Sequence, residues 1–164
     1  HLETFFEVHN VALGRVLKQD QIDQVKEITR QTYQLIDQET PQLVHGDLHP
    51  GNIILHPDGE RVVIIDWESV HLGTPLIDVV KLWNRSWQAE WRDEIVVEAK
   101  QKLNRQNFDQ EFRGLALHLI LDELVFWHSL QHSRDQVPLK PFAGKALKFH
   151  YQTLKNLLEN KYQW

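Results

Sequence analysis

The sequence predicts an α+β fold, mostly helical, with one small β-hairpin set between helices. Two observations carry this. Apolar residues recur at spacings of three and four on both sides of residues 42–66. Inside that window the period changes. Ile53-Ile54-Leu55 and Val62-Val63-Ile64-Ile65 are β-branched runs flanking His56-Pro57-Asp58-Gly59-Glu60, and an Asp-Gly turn between such runs signals a hairpin.

Taken in order, a short helix is expected over 3–18. A second, amphipathic helix is expected over 21–39, where Ile22, Val25, Ile28, Thr29, Tyr33 and Ile36 share a face, with Asp20 as N-cap and Pro41 as the stop. Leu43-Val44 is a short apolar run. After Pro75 helices are expected over 76–88, 90–104, 109–132 and 141–161, with the clearest break at Val137-Pro138-Leu139-Lys140-Pro141. The chain thus reads as one lobe, 1–164. A helical lead-in occupies 1–41, a loop and hairpin 42–66, and a helical subdomain 67–164.

Composition narrows the function. Apolar residues make up 41%, including six tryptophans and seven phenylalanines, which is enough for a core and argues against disorder. No apolar run approaches the roughly 18 residues of a membrane span, and His1-Leu2-Glu3-Thr4-Phe5 has neither the basic start nor the apolar run of a signal peptide. Membrane partners are therefore not expected. The net charge of −5 argues against a nucleic-acid binder. Cysteine is absent, which rules out disulfides and thiolate metal sites and favours a cytoplasmic setting. The chain begins with His1 and contains no methionine, so residue 1 is expected to be internal to a longer polypeptide.

The chemistry is concentrated in His45-Gly46-Asp47-Leu48-His49-Pro50-Gly51-Asn52 and in Ile65-Asp66-Trp67-Glu68 at the end of the second hairpin strand. The hairpin returns the chain, so that Asp66 can lie beside Asn52. This gathers one free carboxylate with an amide oxygen and a second carboxylate. An all-oxygen set of that kind suits Mg²⁺, which keeps waters and substrate phosphates in its shell. Phosphoryl transfer needs such a group: a metal to neutralise the phosphates and a carboxylate to orient the attacking hydroxyl. A buried polar turn would explain one aspartate, but not two acids and an asparagine in this register. A two-metal phosphoesterase would need further His and Asp motifs; no Asp-x-His precedes residue 45 and no Gly-Asn-His-Glu follows.

His-x-Asp-x-x-x-x-Asn, a hairpin and Ile-Asp-Trp-Glu together resemble the kinase-like phosphotransferases that modify aminoglycosides, choline, homoserine and related small molecules. Gly73-Thr74-Pro75-Leu76-Ile77-Asp78 is similar to that family's Gly-x-Pro-x-x-Asp, so the match runs from Leu43 to Asp78. The resemblance implies the mostly helical C-terminal lobe of a protein-kinase-like fold. It implies Asp47 as catalytic base, Asn52 and Asp66 as Mg²⁺ ligands, and Asp78 bracing the loop, with His45 and His49 as loop support. ATP or GTP would be the phosphoryl donor and a small-molecule hydroxyl the acceptor. Glu68, Asp122 and Glu123 are candidates for an acceptor pocket taking a cationic substrate; for Asp122 and Glu123, solvated faces and structural pairs are the blander account.

Departures from protein kinases sharpen this reading. Gly46 stands where they carry the Arg of His-Arg-Asp, and only eleven residues separate Asp66 from Asp78, too few for a peptide-binding activation segment. Only 44 residues precede His45. They read as helix, and Gly14 is their sole glycine. Lys18 and Lys26 lie in helical pattern, so no phosphate-covering loop or strand lysine is found there. The N-terminal lobe is expected to be absent from this chain, which alone would be inactive, bind ATP poorly and expose a partly apolar face. A non-catalytic, pseudokinase-like binding module is the alternative. Finally, Trp83, Trp87 and Trp91 suggest a helical aromatic stripe for packing, or the wall of an acceptor pocket. His128 and His132 share a face without a third ligand.

Overall fold

The computed structural model describes residues 4–7, 13–14, 17–133 and 139–162. They cluster into two compact units, one formed by residues up to 33 with those from 117 onward, the other by 34–116. The fold is α+β and mostly helical.

In the first unit, residues 4–7 are helical, and most of the 3–18 expectation lies outside the described residues. Helix α1 spans Gln19–Ile36. It begins earlier than the sequence suggests because the Gln21 side chain reaches back, Oε1 accepting the Lys18 backbone N–H at 3.1 Å. Asp20 is therefore not the cap. It sits in the first turn, where its charge still suits the helix dipole. Up to Tyr33, α1 buries Ile22, Val25, Thr29 and Thr32. Helix α4, Phe108–His132, contributes Leu117, Ile120, Leu121 and Leu124 to the buried set of this unit. Helix α5, Lys140–Leu158, packs Ala143 and Ala146 against Trp127. The break expected around Val137-Pro138 falls largely outside the described residues. Among those described, no helix is long and apolar enough to cross a membrane.

The second unit holds the strands. β1 (Gln42–Val44) pairs antiparallel with β4 (His71–Gly73), Leu43 opposite Leu72. The hairpin is formed by β2 (Ile53–Leu55) and β3 (Val62–Ile64), Ile54 opposite Val63. The β1–β4 pair was not readable in the sequence, because three residues are too few to show alternation. Helices α2 (Leu76–Arg85) and α3 (Ala89–Leu103) follow, then the start of α4. Helix α2 stops short of residue 88 because Ser86 turns to extended backbone, its hydroxyl donating to Leu82 O at 2.8 Å. That break overturns the aromatic stripe. Trp83 is fully buried, edge-on to Phe112 at 5.3 Å with the Arg92 guanidinium over its ring at 3.6 Å. Trp87 falls between the helices, and Trp91 is half exposed.

Arg105, almost fully buried, fixes the start of α2. It pairs with Glu111 and Glu39 and donates to Thr74 Oγ1 at 3.1 Å, two residues before the helix. The hairpin strands, by contrast, present Ile54, Leu55, Val62 and Val63 to solvent.

Candidate active site

Every residue from His45 to Asp78 belongs to the second unit. The loop leaves β1 at Val44 and enters β2 at Ile53, and its first residues are held by α2. Asp78 Oδ2 accepts the His45 backbone N–H, and its Oδ1 accepts that of Gly46, both at 2.8 Å. Hydrogen bonds to a carboxylate are among the stronger ones. Asp78→Asn turns one acceptor into a donor facing a backbone N–H. It should cost about 1–2 kcal/mol, measurable by chemical unfolding; an unchanged midpoint would remove this bracing role.

His45 is buried, and its Nδ1 accepts the Asp47 backbone N–H at 3.3 Å. The ring proton is thereby assigned to Nε2, which donates to Ile65 O at 2.8 Å. Ile65 N–H in turn donates to Asn52 O at 3.0 Å. The residue before Asp66 is thus bonded to both ends of the loop. His49 caps the short turn Pro50–Asn52, its Nδ1 accepting the Gly51 N–H at 3.1 Å.

The Asp47 carboxylate divides its oxygens. Oδ1 accepts from the Lys81 ammonium at 3.2 Å, and Oδ2 lies 3.7 Å from His49 Nε2. Partial burial pushes the carboxyl up. The Lys81 hydrogen bond and charge, with the charge of Arg85, outweigh it and hold Asp47 below its ordinary value. It is therefore ionised at neutral pH.

Two further oxygen sources flank the loop. Asn52 is buried, and its amide donates through Nδ2 to Asp47 O at 3.0 Å. Its Oδ1 accepts no hydrogen bond among the described residues. Asp66 sits in left-handed backbone, φ 65° and ψ 58°, and its exposed carboxylate makes no hydrogen bond among the described residues. Aspartate is one of the few non-glycine residues that adopt this region readily. One amide oxygen and one carboxylate, both uncommitted, fit a hard cation.

The acceptor candidates separate. Glu68 is exposed in the turn Trp67–Ser69, directly after Asp66. Asp122 and Glu123 belong to the first unit. There Glu123 Oε2 accepts from the Trp127 indole at 2.9 Å and lies 3.7 Å from buried His150. His128 and His132 stack at 4.3 Å. Between the loop and helices α2 and α3 lies a cavity of about 760 Å³ lined by Leu48, Pro50, Leu82, Trp91 and Ile95. Sequence reasoning overlooked Lys81 and Arg85. The available signal was their spacing of three and seven from Asp78, which places all three on one helix face.

Comparison with known proteins gives the following likenesses. Over 41 residues, 24% of this chain and 5% of the other, the sequence is 49% identical to the probable acyl-CoA dehydrogenase IBR3 of Arabidopsis thaliana. Among solved structures it resembles a thermostable mutant of aminoglycoside phosphotransferase APH(4)-Ia in its apo form, with a TM-score of 0.66 and 16% identity over 99% of this chain and 52% of that one. A ternary complex of the same enzyme with AMP-PNP and hygromycin B gives 0.63 and 16%, over 93% and 48%. Spectinomycin phosphotransferase APH(9)-Ia, in complex with ADP and spectinomycin, gives 0.51 and 17%, over 96% and 46%. The chain spans about half the length of these solved structures, and at such identities the likeness is one of fold. The family itself follows from the sequence, because the model of the phosphotransferase enzyme family matches residues 6–117, which take in the whole loop, the hairpin and the bracing helix; the chain belongs to that family.

Proposed function

We propose that this chain supplies the catalytic base and the metal ligands of an ATP- or GTP-dependent phosphotransferase acting on a hydroxyl of a small molecule. The observation that carries the reading is the grouping on one loop and hairpin of an ionised aspartate, Asp47, with two uncommitted oxygen donors, Asn52 and Asp66. Family membership supports it, and the neighbours' complexes with AMP-PNP and ADP support a nucleotide donor. Those neighbours are about twice the length of this chain. That supports reading residues 1–164 as one catalytic lobe, with the nucleotide-covering lobe contributed by sequence outside it.

In this reading Asp47 orients the acceptor hydroxyl and takes its proton as the acceptor oxygen bonds to the γ-phosphorus. The bond from that phosphorus to the bridging oxygen breaks, and the nucleoside diphosphate leaves. A carboxylate held below its ordinary pKa is a weak base, so its contribution is chiefly orientation, with the proton arriving late. Asn52 Oδ1 and the Asp66 carboxylate would hold Mg²⁺, which when bound supplies charge neutralisation on the phosphates. Buried Asn52 is kept in place by its bond to Asp47 O, so the metal side and the base side of the site share one backbone. Glu68, two residues after Asp66 and exposed, is the candidate that shares a unit with the loop and would meet a cationic acceptor.

The test is nucleoside diphosphate release by the full polypeptide with Mg-ATP or Mg-GTP against aminoglycosides, choline, homoserine, sugars and fructosamines. One acceptor class should stimulate release, and EDTA should abolish it. Stimulated release that survives complete metal removal would overturn the roles given to Asn52 and Asp66.

A further inference from the structure

Helix α2 carries more than the brace already described. Asp78, Lys81 and Arg85 lie three and four residues apart on one face. Asp78 accepts from the backbone N–H groups of His45 and Gly46, and Lys81 Nζ donates to Oδ1 of Asp47 at 3.2 Å. Three consecutive loop residues are thus held by one helix face, two through the backbone and the third through its side chain. A carboxylate rotates readily about its last bond, because that torsion has no sharp staggered wells. An anchor on one oxygen therefore decides where the other lies. Among the described residues Asp47 Oδ2 has no hydrogen-bond anchor: His49 Nε2, at 3.7 Å, is near enough for a loose ion pair but beyond hydrogen-bond reach. The loop cannot shift to compensate, since the Asp47 N–H is held by His45 and its carbonyl by Asn52.

We propose that Lys81 is a positioning residue of the phosphoryl transfer: by holding Oδ1 of Asp47 it fixes the carboxylate and leaves Oδ2 as the oxygen that receives the acceptor proton. This rests on the reading of Asp47 as the base. Lys81 and Asp47 are both partly exposed, and ion pairs of that kind contribute little to stability. The loss on removing Lys81 is therefore read in turnover, not in unfolding.

The experiment uses the full polypeptide with Mg-ATP alone, water serving as acceptor, and compares Lys81→Met, Lys81→Arg, Asp47→Ala and the Asp47→Ala/Lys81→Met double variant. Lys81→Met should lower kcat by roughly 10- to 100-fold, the scale of a small misplacement of a reacting group. KM for Mg-ATP should stay within about threefold. Lys81→Arg should restore most of the lost rate, the thermal midpoint should not move, and in the Asp47→Ala background Lys81→Met should remove nothing more. A rise in KM at unchanged kcat would overturn the proposal and make Lys81 a nucleotide ligand. Full turnover in Lys81→Met with an inactive Asp47→Ala would overturn it while leaving Asp47 as the base. Full turnover in Asp47→Ala would overturn both.

Discussion

Asp47→Ala is expected to lower kcat by about 10²- to 10⁴-fold, the range removed with a positioned acid–base group, while the unfolding midpoint barely changes. The fold should tolerate the loss because the loop does not depend on this side chain. The residue's N–H is held by His45 Nδ1 and its carbonyl by the Asn52 amide, and both bonds survive substitution. The Lys81 ammonium loses its partner but is partly exposed, so water can solvate it. Acceptor-stimulated ADP release by the full polypeptide, run beside thermal unfolding of the same preparation, checks both halves. Near-normal turnover in a folded variant would end the assignment of Asp47.

Gly46→Ala should be the most damaging small substitution in stability. Gly46 has φ +80°, which an L side chain adopts at a cost of about 1–2 kcal/mol. An added Cβ would also lie 2.3 Å from Ser69 O and 2.8 Å from His71 Nδ1, and those two atoms are bonded to each other at 2.8 Å. The first of these contacts is with backbone, which cannot swing aside. A loss of about 2–4 kcal/mol is expected from strain and clash together. Gly59 supplies the control. Its φ is +74°, yet an added Cβ meets nothing within 4 Å. Gly59→Ala should therefore show the conformational part alone. If the two variants unfold at the same denaturant concentration, the contact with Ser69 carries no weight.

The His45–Asn52 loop and the hairpin were legible because their signals are local: an Asp-Gly turn between β-branched runs, and acids and an amide at fixed spacing on a loop rich in Gly and Pro. What escaped notice depends on partners distant in sequence. β1 and β4 recognise each other across the loop and hairpin, and neither carries a pattern by itself. Lys81 looks like any exposed helix lysine until Asp47, 34 residues earlier, is placed against it. A break between these helices was expected after residue 88 and comes after Arg85, because Ser86 and Gln88 are tolerated inside helices and gave no sign of the earlier stop. The left-handed backbone at Asp66 escaped too, since aspartate gives no more than a weak hint of it.

The hairpin's register has a consequence for finding relatives of this chain by text alone. Asn52 and Ile65 are joined backbone to backbone, and the ladder continues through Ile53 opposite Ile64 to Leu55 opposite Val62. Beyond Leu55 one more backbone bond, His56 N–H to Arg61 O at 2.8 Å, closes the tip, and an added Cβ on Gly59 there would meet nothing within 4 Å. Letters added or removed at that tip leave the distance between the two ends untouched. A slip of one position within the strands would turn each side chain to the opposite face. The interval separating the two halves of the signature is therefore elastic while its edges are rigid. A pattern that pins the edges and lets the gap stretch should recover kin that a fixed-length pattern discards.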